Sequence, residues 1–350
     1  MSLPAYSALR YCWRYCGVLL LALLVLAGCE EQTANTLELN GQTMGTTWQV
    51  TVVEPRGLVD SSLQSLIDEE LQRINGLMST YDAESELSKF NSMRSVEWQP
   101  LSDETIALVE AARRVSKETS GAYDITLGSI SALWGFGQEE STGSKPLLDD
   151  ILLMLNDVGY QLLEVSSARK SVRKLNPDLK VDLSSLAKGY AVDKIGEQLE
   201  ATGNQRYLVE IGGEIRTRGL APNGERWKIG IEWPESGGEP EMTGIAVENA
   251  HIASSGDYRN YRVVDGERVT HILDGRSGYP ISHNLAAVTV LHGSAMRADA
   301  WATAFMVLGY EESLALANKK GLAARFVIRE SDGYRVDSTS VFKAYAINDN

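Results

Sequence analysis

Apolar and β-branched residues alternate with polar ones through TTWQVTVVE (46–54), a period of two that predicts a strand with one buried face. Downstream the period lengthens. In VDSSLQSLIDEELQRINGLMS, Leu63, Leu66, Ile67, Leu71, Ile74 and Met78 recur at helical spacing, so this helix should lay one stripe on a sheet. A second helix is expected after Ser102, with Asp103 and Glu104 at the positive end of its dipole. A third is expected from Pro146, which suits a first helical turn. In RWKIGIEW, Trp227, Ile229, Ile231 and Trp233 share one face. Further strands are predicted at 206–211, 214–218, 245–248, 258–264, 268–273, 286–291 and 323–329. Gly212-Gly213 reads as a tight turn between the first two of these, and ESGGEPE (235–241) as a long hairpin loop. Helices at 185–202 and 295–308 sit among the strands. Strands and helices do not alternate one for one, so the pattern is α+β.

The N-terminus changes the picture of where this domain works. Arg10 and Arg14 precede an apolar run from Gly17 to Ala27, which reads as a secretory signal. Its end, Leu26-Ala27-Gly28-Cys29, resembles the lipobox of bacterial lipoproteins, in which the cysteine is lipidated and becomes the first residue after cleavage. The expected division is therefore a signal at 1–28, a polar tether at 29–38 and one domain at 39–345. Cys12, Cys16 and Cys29 are the three cysteines, and two would leave with the signal, so no disulfide can form within the mature chain. Such a domain must be held by its core, and the chain is long enough for a large one. The net charge of −14 argues against nucleic-acid binding and against adhesion to anionic lipid by charge. Attachment would come from the lipid on Cys29.

Several stretches carry polar groups that a core alone does not explain. SAMRADAWATAFMVLG (294–309) reads as a buried helix interrupted by Arg297 and Asp299. Asp299 and Thr303 fall on one helical face, as oxygen ligands for a hard cation would; pairing of Asp299 with Arg297, or a capping role, is the structural alternative. VDLSSLAKGYAVDKI (181–195) begins as a strand, turns polar at Ser184-Ser185 and enters a helix. Lys188 there could meet a phosphate, or be a surface lysine beside a packing Gly189. GAYDITLGSISALWGFG (121–137) could wall a flat ring or be a glycine-rich loop with packing aromatics. ASSGDYRNY (253–261) reads as a strand ending in a Ser-Gly turn. In VTHILDGRSGYP (269–280), His271 lies on a short strand before a glycine-rich turn, either structural or a proton acceptor near neutral pH.

The joint order of TMGTTW (43–48), STYD (79–82), GAYDIT (121–126), DLSSLAKGYAVD (182–193), EIGGEIRTRG (210–219), SSGDYRNY (254–261), HILDGRSGYP (271–280) and RADAWATA (297–304) resembles the FAD:protein FMN transferases, the ApbE family. The resemblance runs from about residue 38 to 330. It implies an α+β fold with mixed, largely antiparallel sheets flanked by helices, in two lobes around a flavin cleft. It also implies a bacterial lipoprotein on the periplasmic face of the inner membrane. The implied reaction takes FAD and Mg²⁺, joins FMN to a Thr or Ser hydroxyl of another protein and releases AMP. The implied acceptors are subunits of the sodium-pumping NADH:quinone reductase or of Rnf-type complexes.

Carried onto this chain, the resemblance makes Asp299, Thr303 and a backbone oxygen at Ser185 the metal ligands. It makes Met44, Tyr81, Ala122, Tyr123, Asp124, Asp182, Lys188 and Leu273 flavin-dinucleotide contacts. His271 is the candidate base, with Asp274 and Asp182 able to do the same work, and Lys188 adds positive charge. Hydrolysis of FAD to FMN and AMP, or flavin binding without turnover, are the alternatives. Two departures stand out. Ser184-Ser185 replaces the family's frequent Gly-Gly, and Asp274-Gly275 replaces Asp-Pro, which is expected to loosen the turn after His271.

Overall fold

The computed structural model describes residues 34–57, 60–137, 144–231, 233–234, 243–258 and 260–347. The expected signal at 1–28 and the lipidation residue Cys29 lie outside these residues, as does the loop 235–241. In chain order the helices and strands begin β1 (Thr36–Thr43), β2 (Thr46–Val53), α1 (Asp60–Met78), α2 (Glu86–Ser92), β3 (Gln99–Pro100), α3 (Asp103–Glu118), α4 (Gly128–Leu133), α5 (Leu148–Leu155), β4 (Leu163–Ser166), β5 (Ser171–Lys174) and α6 (Ser184–Ala201). They continue with β6 (Tyr207–Ile211), β7 (Glu214–Arg218), β8 (Trp227–Ile231), β9 (Thr243–Val247), β10 (Ala250–Gly256), β11 (Tyr261–Val264), β12 (Glu267–Thr270), β13 (Leu273–Asp274), β14 (Tyr279–Pro280) and β15 (Leu285–His292). The last are α7 (Ala295–Leu308), α8 (Tyr310–Lys320), β16 (Ala323–Glu330), β17 (Gly333–Ser338) and α9 (Ser340–Lys343).

The central sheet has eight strands in the order β1-β2-β6-β7-β10-β15-β16-β17, every neighbouring pair antiparallel. Alternation along the strands sorts its two faces. Trp48, Val50, Val52, Tyr207, Val209, Ile211, Val288 and Val290 point to a large core shared with α1, α6 and α7. Leu208, Ile215, Ile252 and Leu291 point the other way, onto the hairpin β8–β9 and Phe342 of α9. Helix α7 is buried on nearly all sides, the expected place for a run so rich in apolar residues. A third, smaller core gathers Leu127, Ile130, Trp134, Ile151, Val264, Val269 and Leu273 from α4, α5 and the short strands β11–β13.

Several expectations need correcting. The tether does not extend to residue 38, because β1 starts at Thr36 and Thr36, Leu37 and Glu38 pair with Val53, Val52 and Thr51 of β2. Helix α5 starts at Leu148: Leu147 stays extended as its N-cap, so Pro146 precedes the helix. The strand expected at 258–264 is only Tyr261–Val264, because Asp257 and Tyr258 turn the chain while the Asp257 carboxylate holds Arg329. The strand expected at 268–273 breaks at His271, where the chain changes partner from β11 to β14. Residues 181–183 are not a strand; there the Asp182 carboxylate accepts the Ser184 N–H at 2.8 Å and turns the chain into α6.

Candidate active site

Helices α6 and α7 cross at Gly189. A Cβ at that position would lie 2.3 Å from the Ala295 carbonyl oxygen and 2.8 Å from Met296 Cα, so only glycine allows the two backbones this close. The packing and the close-approach roles of Gly189 are thus one role. Asp193, one turn further along α6, fixes the crossing. Its carboxylate accepts from Ser294 Oγ at 2.7 Å, Ala295 N at 3.0 Å and Met296 N at 3.1 Å, capping α7 from outside, and pairs with His251 Nδ1 at 2.8 Å. Burial alone would raise the Asp193 pKa, but His251 and these donors outweigh it and hold it below the usual carboxylate range.

The crossing presents Asp299 to α6. Its carboxylate is 2 % exposed and accepts the Gly189 N–H at 3.1 Å. That N–H is the one an α-helix aims at the carbonyl four residues earlier, Ser185, so the carboxylate and the Ser185 main chain flank the same amide. Burial pushes the Asp299 pKa up, while Lys188 and the Gly189 N–H act against it. Pairing with Arg297 is not what places Asp299: Arg297 is exposed, and Ser294 supplies the cap itself. One turn on, the Thr303 hydroxyl lies 3.2 Å from Ser255 Oγ at the end of β10.

Around this pair the chain gathers the other candidates. The Ser185 hydroxyl lies 2.8 Å from the phenol of buried Tyr123. Burial raises the Tyr123 pKa, Ser185 opposes the rise, and the negative charges of Asp299, Asp124 and Asp182 add to it. Lys188 Nζ is 2.8 Å from Glu214, a carboxylate only 1 % exposed at the start of β7. The Lys188 stem lies beside Gly212, whose missing side chain also makes room for Thr46. Two hairpin tips therefore meet at this lysine. Gly212-Gly213 forms one, with φ of 58° and 99°, and Met44-Gly45 the other, with φ of 48° and 73°.

His271 completes the group. Its Nδ1 lies 2.8 Å from the Asn260 carbonyl, which can only accept, so Nδ1 carries the proton and Nε2 keeps the lone pair. Burial lowers the His271 pKa; the Asn260 carbonyl raises it, Lys188 lowers it and Asp182 raises it, so these groups share one field. The Phe136 ring packs edge-on against the imidazole at 6.2 Å between centroids.

The remaining candidates have other duties. Asp124 accepts from Thr126 N at 2.8 Å, Thr126 Oγ1 at 2.7 Å and Tyr160 N at 2.6 Å, which pins the 121–127 loop; burial raises its pKa against those bonds. Asp274 holds Arg276 with both oxygens, 2.7 Å at the closest. The Leu273 side chain is buried in the third core, so what it can offer a ligand is main chain. The turn after His271 is not loose. Gly275 N donates to the Ala122 carbonyl at 2.9 Å, a bond proline could not make, and a Cβ there would lie 2.4 Å from the Gly121 oxygen. Tyr81 is 72 % exposed on the loop after α1, and no described contact joins it to the group around Lys188.

Sequence reasoning missed Asp193, Glu214 and Ser255, whose roles depend on which element packs beside them. Among the described residues no cluster of three or more His, Cys, Asp or Glu side chains could hold a metal. The set that the resemblance implies is one carboxylate, one hydroxyl and a main-chain carbonyl. A cleft of about 460 Å³ lies between α3 and the first turns of α7, lined in part by Arg114, His292 and Trp301, and none of the candidate residues lines it.

The ApbE family model matches residues 44–326. An FAD:protein FMN transferase of Vibrio cholerae is 39 % identical over 329 residues, covering 94 % of this chain and 98 % of that one. One from Salmonella typhimurium is 36 % identical, covering 95 % and 97 %. Among solved structures, the flavin transferase ApbE from Vibrio cholerae superposes with a TM-score of 0.84 at 37 % identity, covering 89 % of this chain and 99 % of that one. The apo form of the Pseudomonas stutzeri flavinyl transferase ApbE gives 0.80 at 37 % identity, covering 89 % and 97 %. With the family model spanning most of its length and full-length relatives on either side, the chain belongs to the ApbE family and is an enzyme of the FAD:protein FMN transferase class.

Proposed function

We propose that this enzyme breaks the pyrophosphate of FAD in a Mg²⁺-dependent reaction, joins the FMN phosphate to a Thr or Ser hydroxyl of a target protein as a phosphoester, and releases AMP. The observation that carries this is Asp299, a buried carboxylate with one described N–H donor, facing the Ser185 main chain one helical turn from the Thr303 hydroxyl. A carboxylate taken out of water needs a counter-charge, and three oxygen donors suit a hard divalent cation. Asp299, Thr303 and the Ser185 carbonyl would hold Mg²⁺, which when bound would neutralise pyrophosphate charge and ease departure of AMP.

The chain's own groups supply the rest. Lys188, oriented by Glu214, brings a second positive charge to the phosphates. The Tyr123 phenol meets the Ser185 hydroxyl, and Asp182 holds the start of α6; Met44 is proposed as a further flavin-dinucleotide contact. His271 presents Nε2 with its tautomer set by Asn260, so it can accept the acceptor's hydroxyl proton as the new O–P bond forms and the bond to AMP breaks. Asp274 is committed to Arg276 and Asp182 accepts the Ser184 amide, which supports His271 over both as the base.

The lipobox-like Leu26-Ala27-Gly28-Cys29 supports anchoring through lipid on Cys29 at the inner membrane, facing the periplasm. Among the described residues no helix is long and apolar enough to cross a membrane. Acceptors there would be subunits of the sodium-pumping NADH:quinone reductase or an Rnf-type complex. The test incubates the detergent-solubilised full chain with FAD, Mg²⁺ and such a purified subunit. Flavin fluorescence that stays with the denatured acceptor is the expected result; free FMN would mean hydrolysis, and unchanged FAD would defeat the proposal. Asp299→Ala should lose Mg²⁺-dependent turnover while leaving the domain folded. Unaltered Mg²⁺ dependence in that variant would remove Asp299 from the metal site.

A further inference from the structure

Helix α5 carries its apolar residues on the wrong side for a core helix. Ile151 is fully buried against the third core, yet Leu147, Leu148, Leu152 and Leu153 are 70, 56, 51 and 66 % exposed. Exposed single leucines are ordinary; four within seven residues, one at the N-cap and three on a short helix, are not. Other exposed apolar side chains sit on elements packed round the same small core: Tyr279 on β14, which meets Trp134 edge-on at 5.7 Å, and Val263 on β11.

This core is the underside of the active-site wall. Leu273 belongs to it and lies two residues from His271. Ile151 Cγ2 would be 3.0 Å from a Cβ on Gly278, and the Trp134 indole donates to the Gly278 carbonyl at 2.9 Å. Two residues after Trp134, Phe136 packs on the imidazole of His271. The inner side of α5 thus braces the loop that holds the base, and its outer side offers leucines with no described partner.

An enzyme whose second substrate is a folded protein needs a surface for that protein beside the reacting groups. We infer that the outer face of α5 is the docking surface for the acceptor protein, and that it fits a partner presenting apolar side chains flanked by basic ones. This rests on the transfer function proposed above. Charge chooses between occupants. Asp149 and Asp150 stand among the leucines, and the chain as a whole carries −14. An anionic membrane would be repelled, and a second copy would set acidic pairs against each other across a two-fold axis. A basic-rimmed apolar patch meets neither obstacle.

The test uses the full chain in detergent and a purified, fluorescently labelled acceptor subunit, with binding read by anisotropy and transfer by covalent flavin. The variants are Leu148→Gln/Leu152→Gln/Leu153→Gln and Asp149→Lys/Asp150→Lys; all five side chains lie on the helix exterior, so folding and FAD binding should match the parent. Each variant should weaken acceptor binding at least tenfold and raise the acceptor KM by the same factor, with kcat at saturating acceptor and acceptor-free FAD turnover within twofold. Unchanged acceptor affinity in both variants would overturn the inference. So would sedimentation showing a dimer that the leucine variant dissolves, or vesicle binding by the chain freed of its lipid anchor that the leucine variant loses. If the parent binds the acceptor but transfers no flavin, the functional proposal fails while the binding comparison still decides this one.

Discussion

Replacing Gly189 with alanine tests whether the helix crossing sets the site. In an ordinary helix the change would help, by about 1 kcal/mol of propensity. Here the new methyl would sit 2.3 Å from the Ala295 oxygen and 2.6 Å from its carbonyl carbon, where unstrained contact begins near 3.4 Å. Both obstacles are backbone, and Asp193 holds that backbone by the Ala295 and Met296 amides, so the helices must part by roughly an ångström. Overpacking of this kind costs about 1–3 kcal/mol. Stretching the 3.1 Å bond from Gly189 to Asp299 loses a hydrogen bond to a buried charged group, a further 1.5–3 kcal/mol or so. After the propensity gain, the expected net loss is about 1.5–5 kcal/mol in urea unfolding followed by circular dichroism. Because Asp299 and the Ser185 main chain move apart, transfer should fall by about 100-fold even in molecules that remain folded. A variant within 0.5 kcal/mol or so of the parent, transferring at the parent rate, would refute the claim that this close approach builds the site.

Burial lowers the His271 pKa from 6.5, so the acid limb of kcat/KM should fall below pH 6.5 and vanish in His271→Ala; a limb unmoved by that substitution would exclude the residue as base. The same shift has a stability consequence with a definite sign: the unfolded imidazole binds a proton that the folded one resists, so the fold loses stability as pH drops below 6.5, and His271→Gln should remove that slope. Lys188→Ala leaves Glu214 buried without its lysine and should cost about 3–5 kcal/mol, whereas Lys188→Ala/Glu214→Gln should recover most of the stability but not transfer; parallel recovery of both would deny Lys188 any role on the phosphates. Gly275→Pro, which restores the family's usual pair, should destabilise this chain by about 2–4 kcal/mol, since it loses the bond to Ala122 and collides with the Gly121 oxygen; a neutral or stabilising effect in thermal unfolding would show that the turn is free to move.

Much of the scaffold was legible because it follows from local periods. The strand at 46–54 and the helix at 60–78 are marked by periods of two and three to four, the helix at 295–308 by its long apolar run, and the Gly212-Gly213 turn by backbone freedom that other residues lack. Short pieces such as β3 to β5, α2 and β17 were not seen; two to seven residues give too little period to separate from a loop. The helix at 310–320 escaped too, because it follows α7 with only Gly309 between them.

The candidate site divides in the same way. The one-turn spacing of Asp299 and Thr303 is a property of the chain alone, as is the Lys188-Gly189 pair, and the ordered motifs carried the family. The sequence could not decide what each group faces. Whether Asp299 meets Arg297 or the Gly189 amide depends on how closely two helices distant in sequence approach. Whether Asp274 is free or held, and which nitrogen of His271 bears the proton, depends on Arg276 and on the Asn260 carbonyl. Glu214, Asp193 and the exposed leucines of α5 gain their meaning only from neighbours brought across the fold. Periodicity and turn chemistry act over a few residues and are written along the chain. Burial, partner and field are sums over everything within a few ångströms, and the folded arrangement alone supplies those neighbours.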